Sequence, residues 1–225
     1  MDPEAARERM VDALDVELPS TDAALRAVPR HRFVPEAWRD LAYADRPLPL
    51  GEGTTISAPS VVASMVDHLA LSPGERVLEI GAGSGYHAAV VAEVVGSGNV
   101  FSVEYDPELA RPARERLADL GYGAISILVG DGREGWPEHA PYDAAYATCA
   151  SREFPPALVD QVQVDGLLLV PIGIVDTRLV LAKKRPSGDL DRLDCGPVQF
   201  VPMRGPETGA ESRDGSPRGP DGPPK

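Results

Sequence analysis

The chain has 225 residues, 43% of them hydrophobic, and a formal net charge of −13 at pH 7; that is length enough for one sizeable buried core. So acidic a composition argues against a nucleic-acid partner, because phosphate-backbone binding needs a basic face. No run of 18 apolar residues is present to cross a bilayer, so no membrane partner is expected.

The opening run MDPEAARERM has no apolar segment of the signal-peptide kind. Two cysteines, Cys149 and Cys195, stand outside any metal-ligand spacing and fit a reduced, cytoplasmic setting; no metal is expected. Lysine occurs only at 183, 184 and 225. An acidic, lysine-poor composition suits a salt-rich host, where self-repulsion is screened; a GC-rich genome accounts for it equally.

In chain order, residues 4–16 and 21–28 read as two short helices, with Leu14 and Leu25 among their buried anchors. Residues 29–59 are rich in Pro and Gly and show little periodicity. They carry Phe33, Trp38, Tyr43 and Leu48, too apolar for a disordered linker, and so read as an ordered loop region. Val61, Val62, Met65, Val66 and Leu69 then form a stripe at helical spacing, broken at Pro73-Gly74. Strands follow at 76–80, 100–104, 125–129, 143–148, 167–172 and 178–182. Helices fill the gaps at 86–95, 107–120 and 155–162, and residues 197–202 suggest a last strand. Continuous apolar strands alternating with helices predict an α/β fold, a doubly wound and mostly parallel sheet, with an N-terminal helical and loop extension. The domain reading is a single domain over 1–203, with the extension at 1–58 and the core at 59–203. Residues 204–225 are Pro/Gly-rich and polar, and read as a disordered tail.

The run Val77-Leu78-Glu79-Ile80-Gly81-Ala82-Gly83-Ser84-Gly85-Tyr86 takes a buried strand through three glycines into a helix. Such a unit binds a nucleotide-like cofactor by close backbone approach. Tyr86 stands where a dinucleotide fold carries its third glycine. The resulting G-x-G-x-G resembles the first motif of S-adenosylmethionine-dependent methyltransferases, which implies S-adenosyl-L-methionine as cofactor, held by Gly81, Gly83 and Gly85. Glu104 ends the second strand of the core, where a carboxylate accepts from both ribose hydroxyls. Asp131, in Gly130-Asp131-Gly132, can accept from the adenine amino group, with Gly132 turning the backbone beside the ring; a plain Asp-Gly turn is the other reading.

The loop before the first core strand, from Asp45-Arg46-Pro47-Leu48-Pro49-Leu50 through Gly51-Glu52-Gly53-Thr54-Thr55-Ile56-Ser57-Ala58-Pro59, is unusual. It resembles the signature of the protein-L-isoaspartate O-methyltransferase family. Val28-Pro29-Arg30-His31-Arg32-Phe33-Val34-Pro35, Gly135-Trp136-Pro137, Val170-Pro171-Ile172-Gly173 and Val198-Gln199-Phe200-Val201-Pro202 match in the same order. The resemblance covers about residues 10–203. It implies a methyltransferase domain acting on isoaspartyl or D-aspartyl carboxylates of age-damaged proteins, which are then the expected partners, by a monomeric enzyme. It implies Ser57 as the active-site serine, and Thr55, Ile56 and Thr148 beside it at the substrate. Ser57 also suits an N-cap for the following helix, and Thr55 suits a hydroxyl tethering the loop. The chain departs from the family at Glu52, Thr54 and Cys149. Another acceptor on the same fold, or a non-catalytic binding module, stays open on sequence grounds. His87 reads as packing near the cofactor.

Overall fold

The computed structural model describes residues 2–51 and 53–205. In chain order these form α1 (Pro3–Asp12), α2 (Pro19–Ala27), the strands β1 (Leu48–Gly51) and β2 (Thr54–Ile56), α3 (Pro59–Leu69), β3 (Val77–Ile80), α4 (Tyr86–Val95), β4 (Val100–Glu104), α5 (Pro107–Asp119), β5 (Ser126–Val129), β6 (Tyr142–Ala147), α6 (Pro156–Gln161), β7 (Val162–Ile172), β8 (Arg178–Lys184) and β9 (Leu190–Pro197).

β3 and β4 are buried along their whole length, as strands of a parallel sheet covered on both faces should be. They sit in a seven-stranded sheet ordered β5-β4-β3-β6-β7-β8-β9. Neighbours are parallel from β5 to β7 and antiparallel from β7 to β9. α4 buries nine of its ten residues, and its Ala and Val side chains let it lie close to the sheet. The order reverses at β3: the chain runs outward to β4 and β5, then crosses back to β6 on the other side. Ligands of doubly wound sheets bind at the carboxyl ends of the strands at such a switch point. The expected fold class is what the structure has.

Three local expectations change. α1 stops at Asp12 rather than near residue 16, because the amides of Glu17 and Leu18 turn away to donate to the Asp67 carboxylate on α3 (2.8 and 3.2 Å). The last strand is Leu190–Pro197, formed by a hairpin over the Pro186–Asp189 turn, and not 197–202. Residues 198–203 instead cross the strand ends: the Val198 amide donates to Thr177 O (3.0 Å), Ala150 N to Val201 O (2.8 Å) and Met203 N to Ala150 O (2.7 Å). Within the 29–59 region the structure has two short 3-10 turns and the β1–β2 hairpin, with Phe33 and Leu48 fully buried. The tail expected from 204 onward falls, from residue 206, outside the described residues.

Beneath the glycine loop, Glu79 is fully buried in the central strand. Its carboxylate accepts from Ser102 Oγ (2.5 Å) and Tyr146 Oη (2.8 Å), which ties β3 to both neighbours. Burial outweighs those two bonds and pushes the group up to about 7. A carboxyl that is harder to ionise when folded than when unfolded costs stability as pH rises from the unfolded value, about 4.3, through 7. Glu79→Gln keeps the shape and removes this cost. Urea melts of the variant are expected to show a gain over the parent at pH 8 that shrinks toward pH 5; a constant difference across that range would contradict the account.

Candidate cofactor and substrate site

The three glycines after β3 all take positive φ, +97° at Gly81, +53° at Gly83 and +86° at Gly85, which L side chains resist. They meet different surroundings. A Cβ on Gly81 would stand 2.4 Å from Thr148 Oγ1, and one on Gly85 3.1 Å from Leu117 of α5. At Gly83 only Leu50 comes as near as 4.0 Å, so the bare backbone faces open space. Gly81 and Gly85 thus permit packing, while Gly83 leaves room for a ligand.

That space is an open groove walled by Ile80, Val103 and Leu109 and reaching Glu104, Gly132 and Thr148. Glu104, buried at the end of β4, has each carboxylate oxygen fixed by a backbone amide: Gly83 N at 2.9 Å and Asp106 N at 3.0 Å. Each oxygen keeps a lone pair for a further donor. A largely apolar groove that ends in a held carboxylate has the chemistry an adenosyl group needs, aliphatic walls for a base and an acceptor for ribose hydroxyls. Gly132 is here because its Cα packs on Ile80; a Cβ would lie 2.3 Å from Ile80 Cγ2. Asp131 is less free than its position suggests. Its side chain caps the following turn through the Arg133 amide (3.0 Å) and pairs with the Arg133 guanidinium at 2.6 Å, which also holds the acid below its usual range. It does not line the groove.

The β1–β2 hairpin brings the signature hydroxyls to the groove. Thr54, not Thr55, is the tether: Thr54 Oγ1 donates to Gly51 O at 2.6 Å. Thr55 is exposed and borders both this groove and a second cavity beyond it. Ile56 turns the other way into the core, 4% exposed. Ser57 borders the second cavity and a small pocket under the glycine loop. It does not cap α3, whose N-cap is Ala58; Asp45 Oδ1 accepts the Ser60 amide there instead, at 2.9 Å. Glu52, one of the departures from the family pattern, falls outside the described residues.

Thr148, at the end of β6, touches all three spaces. Its hydroxyl donates to Gly81 O at 2.6 Å, with Ile80 O farther at 3.2 Å. With its proton committed, it offers a substrate only lone pairs. The Cys149 thiol is pushed up to about 12 by burial and is a packing group at neutral pH. His87 is buried, leaves both ring nitrogens without a partner, and is held down to about 3, so it stays neutral.

Sequence reasoning did not find the far walls. Tyr105 and Leu109 close one side of the groove, and Val201 to Arg204 cross its mouth. The second cavity is bounded by Val175 to Arg178, from the β7–β8 turn, and by Val198 to Val201. The late Val-Gln-Phe-Val-Pro run was the available signal. Among the described residues no cluster of His, Cys, Asp and Glu is arranged to hold a metal.

The family model described as protein-L-isoaspartate(D-aspartate) O-methyltransferase matches residues 11–208. The chain belongs to this protein-L-isoaspartate O-methyltransferase family. It is 46% identical over 209 residues to protein-L-isoaspartate O-methyltransferase 2 of Archaeoglobus fulgidus, covering 91% of this chain and 95% of that one. It is 48% identical over 205 residues to the Picosynechococcus enzyme, covering 89% and 91%. A solved protein-L-isoaspartate O-methyltransferase shares 30% identity and a TM-score of 0.82, over 88% of this chain and 66% of that chain. A putative one from Plasmodium falciparum, in complex with S-adenosyl-L-homocysteine, shares the fold at TM-score 0.78 and 22% identity, over 88% and 98%. The cofactor of the isoaspartate methyltransferase family is S-adenosyl-L-methionine, and the groove between Gly83 and Glu104 fits it.

Thr148→Val removes the hydroxyl that secures the Gly81 carbonyl without changing volume much. Calorimetric titration with S-adenosyl-L-homocysteine is expected to show affinity lowered about 3- to 10-fold, the worth of about 1 kcal/mol for one lost hydrogen bond. Unchanged affinity would mean that the glycine loop holds its shape without Thr148.

Proposed function

We propose that this chain methylates the free carboxylate of isoaspartyl or D-aspartyl residues in damaged proteins, initiating repair through a succinimide, and that Ser57 holds that carboxylate. The observation that carries the reading is the junction of the two cavities. The groove ending at Glu104 and the cavity beyond the hairpin share Thr55 and Thr148 as a common wall, with Ser57 on the second. A carboxylate entering from the second cavity meets the methyl donor at that wall.

S-adenosyl-L-methionine supplies an electrophilic methyl group on a sulfonium. The work of this chain is placement. A substrate carboxylate, with an ordinary pKa near 4, is ionised at neutral pH, so no residue needs to take a proton. Ser57 Oγ donates to one carboxylate oxygen and aims the other at the methyl group; Thr55 offers a second hydroxyl from the same edge of β2. Rate comes from proximity and in-line alignment. Glu104 holds the ribose, Gly83 leaves room for the cofactor's methionine part while Gly81 and Gly85 let the loop pack closely around it, and Gly132 borders the base. For Asp131 to accept from the adenine amino group, its carboxylate must do so beside the bonds it already takes from Arg133. Ile56 anchors the hairpin, and Thr148 shapes the wall.

A single methyltransferase domain over 1–203 is supported by the one seven-stranded sheet that runs from β3 to β9 and by a family match over residues 11–208. Cytoplasmic location and action as a monomer belong to the same reading. Cys149 and Cys195 are free, and no helix among the described residues is long and apolar enough to cross a membrane.

The test is transfer of labelled methyl groups to an isoaspartyl peptide, with the aspartyl peptide as control. Base-labile label on the isoaspartyl peptide alone is expected. Ser57→Ala is expected to lower the transfer rate roughly 10- to 100-fold, the worth of one hydrogen bond to a charged group, with cofactor affinity intact. Glu104→Ala is expected to weaken cofactor binding on the order of 100-fold, since it removes two charge-assisted bonds. Bound cofactor without label on either peptide would move the assignment to another acceptor or to a binding module.

A further inference from the structure

Ser57 borders the cavity junction, one residue beyond the end of β2. The next element, α3, begins two residues later, with Pro59 at its first turn and no side-chain cap of its own. The amide of Ser60 is one of the orphan donors of that helix start. Asp45, fifteen residues earlier, accepts it at 2.9 Å. The direction of the chain through Ser57, Ala58 and Pro59 is therefore set by a carboxylate from another loop.

Asp45 is itself held. Arg30 is fully buried, and its guanidinium bonds carbonyls on both sides of Asp45: Nε donates to Ala42 O at 2.8 Å and Nη2 to Arg46 O at 3.3 Å. The same guanidinium lies over the ring of Tyr86, 5.0 Å from its centroid, and Tyr86 is the first residue of α4 after Gly85. One buried cation thus touches the helix that carries the glycine loop and grips the segment that carries Asp45. A planar fork suits this task better than an ammonium would.

We propose that Asp45 is a positioning residue for Ser57, placing it through the Ser60 amide, and that Arg30 registers this placement against the glycine loop by way of Tyr86. The proposal rests on the assignment of Ser57 as the group that holds the substrate carboxylate. It adds a requirement that the hairpin alone does not impose: the acceptor oxygen at position 45 must be present, while its charge need not be.

Four variants test it: Asp45→Ala, Asp45→Asn, Ser57→Ala and the double variant Asp45→Ala/Ser57→Ala. Each is assayed on an isoaspartyl peptide, and each is titrated with S-adenosyl-L-homocysteine. Asp45→Ala is expected to lower kcat on the order of tenfold, because alignment is lost, while affinity for S-adenosyl-L-homocysteine changes less than twofold. Asp45→Asn, which keeps an acceptor oxygen, is expected to restore most of the rate. In the Ser57→Ala background, Asp45→Ala is expected to have little further effect, the non-additivity of residues acting as a unit. Asn no better than Ala, or losses that multiply in the double variant, would overturn the proposal while leaving Ser57 in place. Ser57→Ala at the parent rate would overturn the Ser57 assignment, and the proposal with it.

Discussion

Thr148 Oγ1 lies 2.6 Å from the carbonyl oxygen of Gly81, where the ends of β6 and β3 come together. These strands are hydrogen-bonded neighbours up to Ile80 and Ala147. One residue further, the chain from β3 must turn under the cofactor groove, and any Cβ at Gly81 would collide with the Thr148 hydroxyl. The contact fixes the floor of the groove, and it gives the groove and the second cavity a shared wall. The switch point alone would supply a crevice. This contact gives the crevice two compartments that meet at a defined place.

Below the contact the sheet is stiffened by a buried polar triad rather than by apolar packing alone. Glu79 on β3 accepts from Ser102 on β4 and Tyr146 on β6, so the three strands beneath the groove share one network. Such a network raises the cost of any misregistered sheet, since a shift would leave buried partners unsatisfied. The cost of holding a carboxyl there appears as its raised pKa. Glu104, one strand over and nearer solvent, is held by backbone amides. The two acids thus differ in setting: Glu79 ties three strands together, while Glu104 lines the groove at the strand ends.

The core was legible in the sequence because its strands are predominantly apolar runs set between helical patterns and marked off by Gly and Pro. Glu104 was legible because the end of a strand is also the edge of the crevice. What escaped was set by partners distant in sequence. Val198 to Val201 has the composition of a strand, but its backbone bonds go to Thr177 and Ala150, so it becomes a strap across the site. Which of Thr54 and Thr55 faces the groove depends on the hairpin register, Gly51 opposite Thr54 and Pro49 opposite Thr55, with an irregularity between Pro49 and Gly51. A slip of one residue exchanges the two faces, and no local pattern records it. The cap of α3 was misassigned to Ser57 for the same reason: local rules look for the cap in the preceding residue, and here it comes from Asp45.

The distribution of hydroxyl protons then bears on the chemistry. Three hydroxyls crowd the junction, on Thr55, Ser57 and Thr148. Thr148 gives its proton to Gly81 O, and the nearby Thr54 gives its own to Gly51 O. Both serve the shape of the site and have only lone pairs left, which repel an anion. Among the described residues Thr55 and Ser57 are not tied in this way, and a hydroxyl with a free proton is what a carboxylate can bind. A basic residue at this place would bind the carboxylate more tightly, but it would also lower the electron density of the attacking oxygen and repel the sulfonium. In the role proposed for Thr55 and Ser57, neutral donors would hold the anion while leaving it nucleophilic and would add no positive charge beside a cationic donor. A reaction between an anion and a cation, with no proton to move, is served by such a site.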